Sequence, residues 1–357
     1  MNSTIRLLRI IGTPFEPNRR WALPEEDDGL YRFAFKNRVA LLYLERLLSE
    51  NRLDKHYSYF ENLHFRAEET LETAKRASEV LEKADVPYVI FKTIRPFPAT
   101  PNDVDIICLG EKDAYRRAVT SLITAGYFTF DKFAPMQIQF SDPRGLGITT
   151  WDKQGGIYYV DLYQAPAVDY FVYIDPLRLR RHVEEKNIRG FAAKVLKPEI
   201  ELAAILMHSV FPERTFSLEL FYTICYSLAG FNGKQINHFV CFSRENRIAY
   251  PVKTCLSLSA ALHRAAFGDV PDGLKTALSS FGIERANETA GSKIWHGEAP
   301  YQFSPLIYLN TFLRKLGDPR AQSSLGCQLI HMVNPVFLID VLTSVFHKVT
   351  RESYIQK

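Results

Sequence analysis

The chain has 357 residues, 46% hydrophobic and 24% charged, with a net charge of +4. That length exceeds one ordinary hydrophobic core, so two or three packed units are expected of a soluble globular protein. The small positive excess does not mark a nucleic-acid binder, although it does not oppose polyanionic substrates.

Five scattered cysteines, Cys108, Cys225, Cys241, Cys255 and Cys327, form no CxxC pair and no Cys/His cluster at zinc spacing. They read as reduced, mostly core thiols. The segment Met1 to Thr13 is too short and too charged, with Arg6 and Arg9, for a signal peptide. No apolar run reaches the length of a membrane span, since Asp340 breaks Val336 to Leu342. The tail from Asn334 to Lys357 reads as a terminal helix packed on its own domain, with a basic membrane-surface helix as the alternative. A cytoplasmic protein is expected.

Gly29 to Glu50 carries apolar residues at near-helical period, from Leu30 to Leu47. Tyr59 to Lys83 predicts a long helix, with Glu68, Glu69, Glu72, Lys75 and Arg76 giving i,i+4 style partners. Asp85-Val-Pro87 stops it, so residues 1–85 form a helical arm. Tyr88 to Thr93 is a strand by its apolar, β-branched and aromatic content. Val104 to Leu109 is a second strand, and Glu111 to Ala125 a helix closed by Gly126. Tyr127 to Phe130, Gln137 to Phe140 and Ile157 to Tyr163 predict further strands. The turn-rich segments Asp142 to Gly147 and Asp152 to Gly156 separate them. These elements make a core over 86–175. From Pro176 the chain reads as mainly helical, giving a third unit over 176–357. Within it, Lys197-Pro198 with Glu199 and Glu201 starts a helix through Ile200 to Phe211. The fold class is α+β: a small mixed sheet flanked by N-terminal helices and a C-terminal helical region.

The chemistry concentrates where the first two strands meet. Asp103 and Asp105 are one residue apart on a strand, so both face the same way. Two such carboxylates repel unless a cation lies between them, and Mg²⁺ or Mn²⁺ with nucleotide phosphates suits that pattern. Asp161 sits mid-strand, where an aspartate is unfavourable unless something binds it. If its strand lies beside the Asp103/Asp105 strand, three carboxylates converge as metal ligands, with Asp161 as ligand or general base. The bland alternatives are a solvated strand start for Asp103 and Asp105, and a solvent-facing edge for Asp161. Lys92, Thr93 and Arg95, in the turn between the strands, are candidate phosphate contacts. Lys92 has the simpler option of pairing with one of the aspartates. The basic run Arg178 to His182 is either an acceptor guide or a solvated face. His208 reads as a core histidine more readily than a ligand. The aromatics Tyr158, Tyr159, Tyr163, Tyr170, Phe171 and Tyr173 either stack a base or pack the sheet.

Pro87-Tyr-Val-Ile-Phe-Lys92, then Asp103-Val-Asp-Ile106, then the acidic strand at Asp161, resembles the nucleotidyltransferases of the DNA polymerase beta superfamily. The uncharacterised nucleotidyltransferase family, with its "hhLKG…DIDLLV" pattern, is especially similar. The histidine-ended segment Ala193 to His208 looks like that family's later helix, and the likeness spans about Val86 to Leu220. The resemblance implies Mg²⁺-dependent transfer of a nucleoside monophosphate from an NTP to a hydroxyl on an acceptor. Protein, RNA and small-molecule acceptors all remain open. One departure stands out. The superfamily's glycine turn, whose N–H groups hold the triphosphate, is replaced here by Lys92-Thr-Ile-Arg-Pro-Phe-Pro98. Prolines at 96, 98 and 101 remove three backbone donors. Two other functions fit part of the pattern. One is a catalytically impaired binding protein of the same fold. The other is a DxD glycosyltransferase, which predicts a βαβ half before Asp103.

Overall fold

The computed structural model describes residues 2–17, 19, 28–129, 135–145, 155–283 and 297–333. The chain opens with α1 (Ser3–Ile11), α2 (Asp28–Lys36), α3 (Ala40–Ser49) and the long α4 (Tyr57–Lys83). The N-terminal segment is thus a helix, with Leu7 and Leu8 fully buried. The predicted helix over Gly29 to Glu50 is interrupted. Arg38 takes a left-handed φ of 59°, and the fully buried Asn37 next to it turns its amide into the structure. Asn37 Nδ2 donates to the carbonyls of Phe33 and Ala299, while its Oδ1 accepts from Leu218 N. A buried amide with partners on three segments overrides helical periodicity there.

The central sheet contains β1 (Tyr88–Phe91), β2 (Val104–Cys108), β3 (Phe128–Thr129), β4 (Gln137–Ser141), β5 (Tyr159–Tyr163), β8 (Val183–Ile188) and β9 (Phe191–Leu196). Its order is β3-β4-β5-β2-β1-β9-β8. The crossover helix α5 (Lys112–Thr124) follows β2, and the small pair β6 (Ala167–Val168) and β7 (Phe171–Val172) forms a separate ladder. β2 runs antiparallel to β1 and parallel to β5, and β1 runs parallel to β9. The α+β class is as read from the sequence.

The β8–β9 hairpin corrects one expectation. The chain is not mainly helical from Pro176; after the short α6 (Pro176–Leu179) it returns to the sheet until Leu196. Val183 to Leu196 contains charged Glu184, Glu185 and Lys186 on an outer strand, which hides the β signal behind helix-favouring residues. The first turn of the predicted strand at Ile157 is instead a 3₁₀ turn, Gly155–Tyr158. Phe130, residues 152–154 of the second predicted turn and the tail from Asn334 lie outside the described residues.

Alternation sorts the sheet into two faces. Tyr88, Ile90, Val104, Ile106, Val160 and Leu162 pack against Ala74, Ala77 and Leu81 of α4 and Ala118 and Leu122 of α5. Val89, Phe91, Ile107 and Tyr163 point the other way, into a core shared with α1, α3 and the C-terminal helices. Those are α7 (Pro198–His208), α8 (Leu218–Gly230), α9 (Gly233–Glu245), α10 (Ala249–Phe267), α11 (Asp272–Ser280), α12 (Pro305–Lys315) and α13 (Pro319–His331). A further pair, β10 (Thr215–Phe216) with β11 (Tyr301–Gln302), links α8 to the segment before α12. Among the described residues, no helix is long and apolar enough to cross a membrane.

Candidate active site on the aspartate face of the sheet

Asp105 and Asp161 are register partners on the adjacent parallel strands β2 and β5. In-register positions of neighbouring strands face the same way, so the two carboxylates share one sheet face. Both are buried, Asp105 at 1% exposure and Asp161 at 6%. Asp103, one residue before β2 and half-buried, is electrostatically coupled to Asp105 and to Lys92. The next strand continues the row, since Gln139 of β4 is in register with Asp161. Gln139 Nε2 donates to Asp161 Oδ1 at 2.9 Å, and Gln137 donates to Oδ2. Two neutral amides therefore hold the Asp161 carboxylate in place.

Lys92 is the resident cation. β1 ends at Phe91, and Lys92 turns with a φ of 48°, the left-handed region that favours glycine. Its N–H donates to Glu201 Oε1 on α7 at 3.0 Å, which holds the turned backbone. The side chain reaches back, placing Nζ 3.2 Å from Asp105 Oδ1. That contact is within ion-pair range but not aligned as a hydrogen bond, so Oδ1 is buried without a hydrogen-bonding partner. Nζ is also 3.1 Å from His208 Nε2, and His208 Nδ1 lies 2.7 Å from Tyr173 Oη. An ammonium can only donate. His208 Nε2 must therefore accept, which assigns the remaining ring proton to Nδ1, facing the Tyr173 oxygen. Burial, aided by Lys92, lowers the His208 pKa to about 4, which agrees with a neutral ring. Glu213 Oε1 approaches the same Nε2 at 3.5 Å, but a ring in this tautomer has no proton to give it.

Burial pushes the Asp105 carboxyl well above the ordinary carboxylate range, against the opposing pull of the Lys92 ammonium. The ion pair thus offsets only part of the cost of dehydrating Asp105. Beneath it, Thr93 Oγ1 accepts from Asp105 N at 2.9 Å and contacts Phe91 O at 3.2 Å. Thr93 is 2% exposed and holds the strand end; it is not displayed for phosphate contact. Arg95 is nine-tenths buried, with Nε and Nη2 both 3.0 Å from Glu219 Oε1. The proline turn is anchored by Phe97, which packs on Tyr222 and Tyr226.

Beside the aspartates a polar cleft of about 330 Å³ is lined by Lys36, Arg38, Lys92 and Arg95, with Glu213 and Glu219 opposite in charge. The sequence reading named Lys92 and Arg95 but missed Lys36 and Arg38, which arrive from the α2–α3 corner. Only the left-handed turn at Arg38 brings them to the cleft, and no local pattern announces that. Gln137 and Gln139 were legible in principle, because their i,i+2 spacing puts both on one strand face.

Arg178 pairs with Asp318 and Arg181 with Glu245, while His182 is buried. Phe171 packs between Phe211 and Phe312, and Tyr170 stacks on His331.

Glu201 provides a test of the site's electrostatics. Burial raises its pKa to about 7, although Arg95 and the Lys92 N–H pull the other way. A carboxyl whose folded pKa exceeds its unfolded value of about 4.3 binds its proton more tightly when folded. Its contribution is complete below that unfolded value and is lost as pH rises through about 7. Wild-type stability is expected to fall between pH 5 and pH 8 by an extra amount on the order of 2 kcal/mol relative to Glu201→Gln. The glutamine keeps an acceptor for Lys92 N. Urea titrations at several pH values measure the difference, and parallel pH profiles for the two proteins contradict it.

Among the described residues, no group of three His, Cys, Asp or Glu side chains forms a ready-made metal cage. A Mg²⁺ site of the substrate-completed type does not need one, since one or two carboxylates suffice when phosphates supply the rest. Asp105 and Asp161 fit that description. Oδ1 of Asp105 is buried without a hydrogen bond, and the Asp161 carboxylate lies in register beside Asp105 on the same sheet face. Compared with known proteins, the chain matches no family model, no curated protein and no solved structure.

Proposed function

We propose that this protein is a metal-dependent nucleotidyltransferase, moving a nucleoside monophosphate from an NTP to an acceptor hydroxyl. The observation that carries the reading is the in-register pair Asp105 and Asp161, buried on one sheet face beside a cationic cleft. Asp105 and Asp161, with Asp103 at the rim, would hold Mg²⁺ or Mn²⁺. Such an ion, when bound there, would supply charge neutralisation for the phosphates and activation of the acceptor oxygen. Lys36, Arg38, Lys92 and Arg95 bind and orient the triphosphate, replacing the donors that a glycine turn supplies elsewhere. Asp161, oriented by Gln137 and Gln139, receives the acceptor hydroxyl proton. The acceptor oxygen bonds to the α-phosphorus as the bond to the bridging oxygen breaks, and pyrophosphate leaves.

A sugar-transferring DxD enzyme fits less well, because among the described residues four α-helices and one strand precede β2, where a βαβ half is expected. A binding protein without turnover has one specific observation in its favour: Lys92 already neutralises Asp105. Incubation with Mg²⁺ and α-³²P-labelled NTPs, across protein, RNA and small-molecule acceptors, separates the two. Transfer of label supports the enzyme. Saturable, Mg²⁺-dependent nucleotide binding with no transfer to any acceptor class supports the binding protein instead.

A further inference from the structure

The buried environment of Lys92 points to a role that phosphate contact alone does not explain. Its side chain is 16% exposed, far from the free extension that a phosphate-binding lysine adopts in water. The groups around it hold the ammonium beside Asp105. The left-handed backbone at Lys92 aims the side chain inward, and Glu201 on α7 locks that backbone. His208 accepts from Nζ and is itself set by Tyr173. The Tyr163 ring centroid lies 5.9 Å from Nζ and lends its π face. On the far side is Asp105 Oδ1, the atom left without a hydrogen bond. Yet Lys92 also lines the cleft with Lys36, Arg38 and Arg95.

We propose that Lys92 is a placeholder cation: it occupies Asp105 in the resting protein, is displaced when a divalent ion binds there, and then extends into the cleft to grip the polyphosphate. The inference rests on the nucleotidyltransferase reading and deepens it, by making Lys92 a positioning residue that couples ion loading to nucleotide binding. Two positive groups cannot share one buried carboxylate oxygen, because at these separations their repulsion in a poorly screened site is large. Arrival of the ion therefore requires departure of the ammonium. The cleft, where Glu213 and Glu219 leave the cationic residues only partly compensated, is the direction in which anionic phosphates would receive it. In thermodynamic terms the ion and the polyphosphate then favour each other's binding, reciprocally.

Two measurements on the full chain test this without relying on catalysis. In the first, Mn²⁺ is titrated and free ion is read by electron paramagnetic resonance. Lys92→Gln is expected to bind Mn²⁺ about tenfold more tightly than wild type, because the competing charge is gone. Lys92→Arg keeps the charge and is expected to remain as weak as wild type. In the second, lysine acetylation is followed by mass spectrometry on the wild-type protein, which removes any dependence on a variant's folding. Lys92 is expected to be protected in buffer, to react several-fold faster with Mn²⁺, and to be protected again when inorganic tripolyphosphate is added. If Mn²⁺ binds wild type and Lys92→Gln equally, or leaves Lys92 acetylation unchanged, the placeholder role is overturned while the enzyme reading stands. If neither protein binds Mn²⁺ and Asp105→Asn behaves like wild type, the metal-site reading itself fails, and the placeholder role with it.

Discussion

Lys315→Met is expected to destabilise the protein by about 3–5 kcal/mol, the range for breaking a buried charge pair from one side. Lys315 is 1% exposed near the end of α12, and its Nζ donates at 2.7 Å to both Asn246 O and Asp318 Oδ2. Burial lowers its pKa, with Asp318 opposing, so the charged form persists only because its partners are in place. Methionine fills the space but abandons a buried carboxylate and a buried carbonyl. Arg178, 3.3 Å from Asp318, remains as a partial substitute, which places the loss inside that range and not beyond it. Adding Asp318→Asn is expected to recover about half of the loss, since asparagine removes the stranded charge and still accepts from Arg320 N at the start of α13. Chemical denaturation of the single and double variants measures this. A single variant within 1 kcal/mol of wild type contradicts the assignment.

Asp105→Asn is expected to lower Mg²⁺-dependent label transfer by about a thousandfold, while leaving the protein folded. The estimate assigns some 4 kcal/mol to the lost anionic ligand, at about 1.4 kcal/mol per tenfold in rate. Folding is spared for a local reason. Burial makes the Asp105 carboxyl reluctant to ionise, so its neutral isostere avoids that dehydration cost. Lys92 retains His208 as a partner and the nearby charges of Asp103, Asp161 and Glu213. Wild-type-like melting with abolished transfer supports a functional aspartate. Undiminished transfer in Asp105→Asn removes this residue from the chemistry.

The sequence disclosed the pattern of the site better than its contents. Alternation along a strand sets Asp105 opposite Ile106 and Asp161 opposite Leu162, and the structure packs Ile106 and Leu162 into the core on the other face. Pairing of their strands was a condition that no local signal supplies; it depends on a crossover closed through α5 and β4. Lys92 and Arg95 were legible as cations, but their present partners, Asp105 and Glu219, were not visible in the turn itself. Glu219 comes from a helix more than a hundred residues later, and Lys36 and Arg38 depend on a helix break caused by Asn37. The β8–β9 hairpin escaped because propensity there is weak and pairing with β1 decides the outcome. The glycine-free turn was recognised from composition, but not its consequence: a lysine bears the left-handed angle and directs its own side chain onto the aspartates.

The parallel pairing of β2 with β5 has a kinetic side. Parallel neighbours cannot form as a hairpin, so the strand carrying Asp161 reaches its place only after a long loop has closed, at an entropic cost that local contacts do not repay. Until then Asp105, its buried oxygen and the lysine aimed at it share one side of an incomplete sheet. Refolding followed in time by Mn²⁺ capture at the proposed site and by helix signal is therefore expected to show two clocks, with the helices of the N-terminal arm early and the aspartate face late.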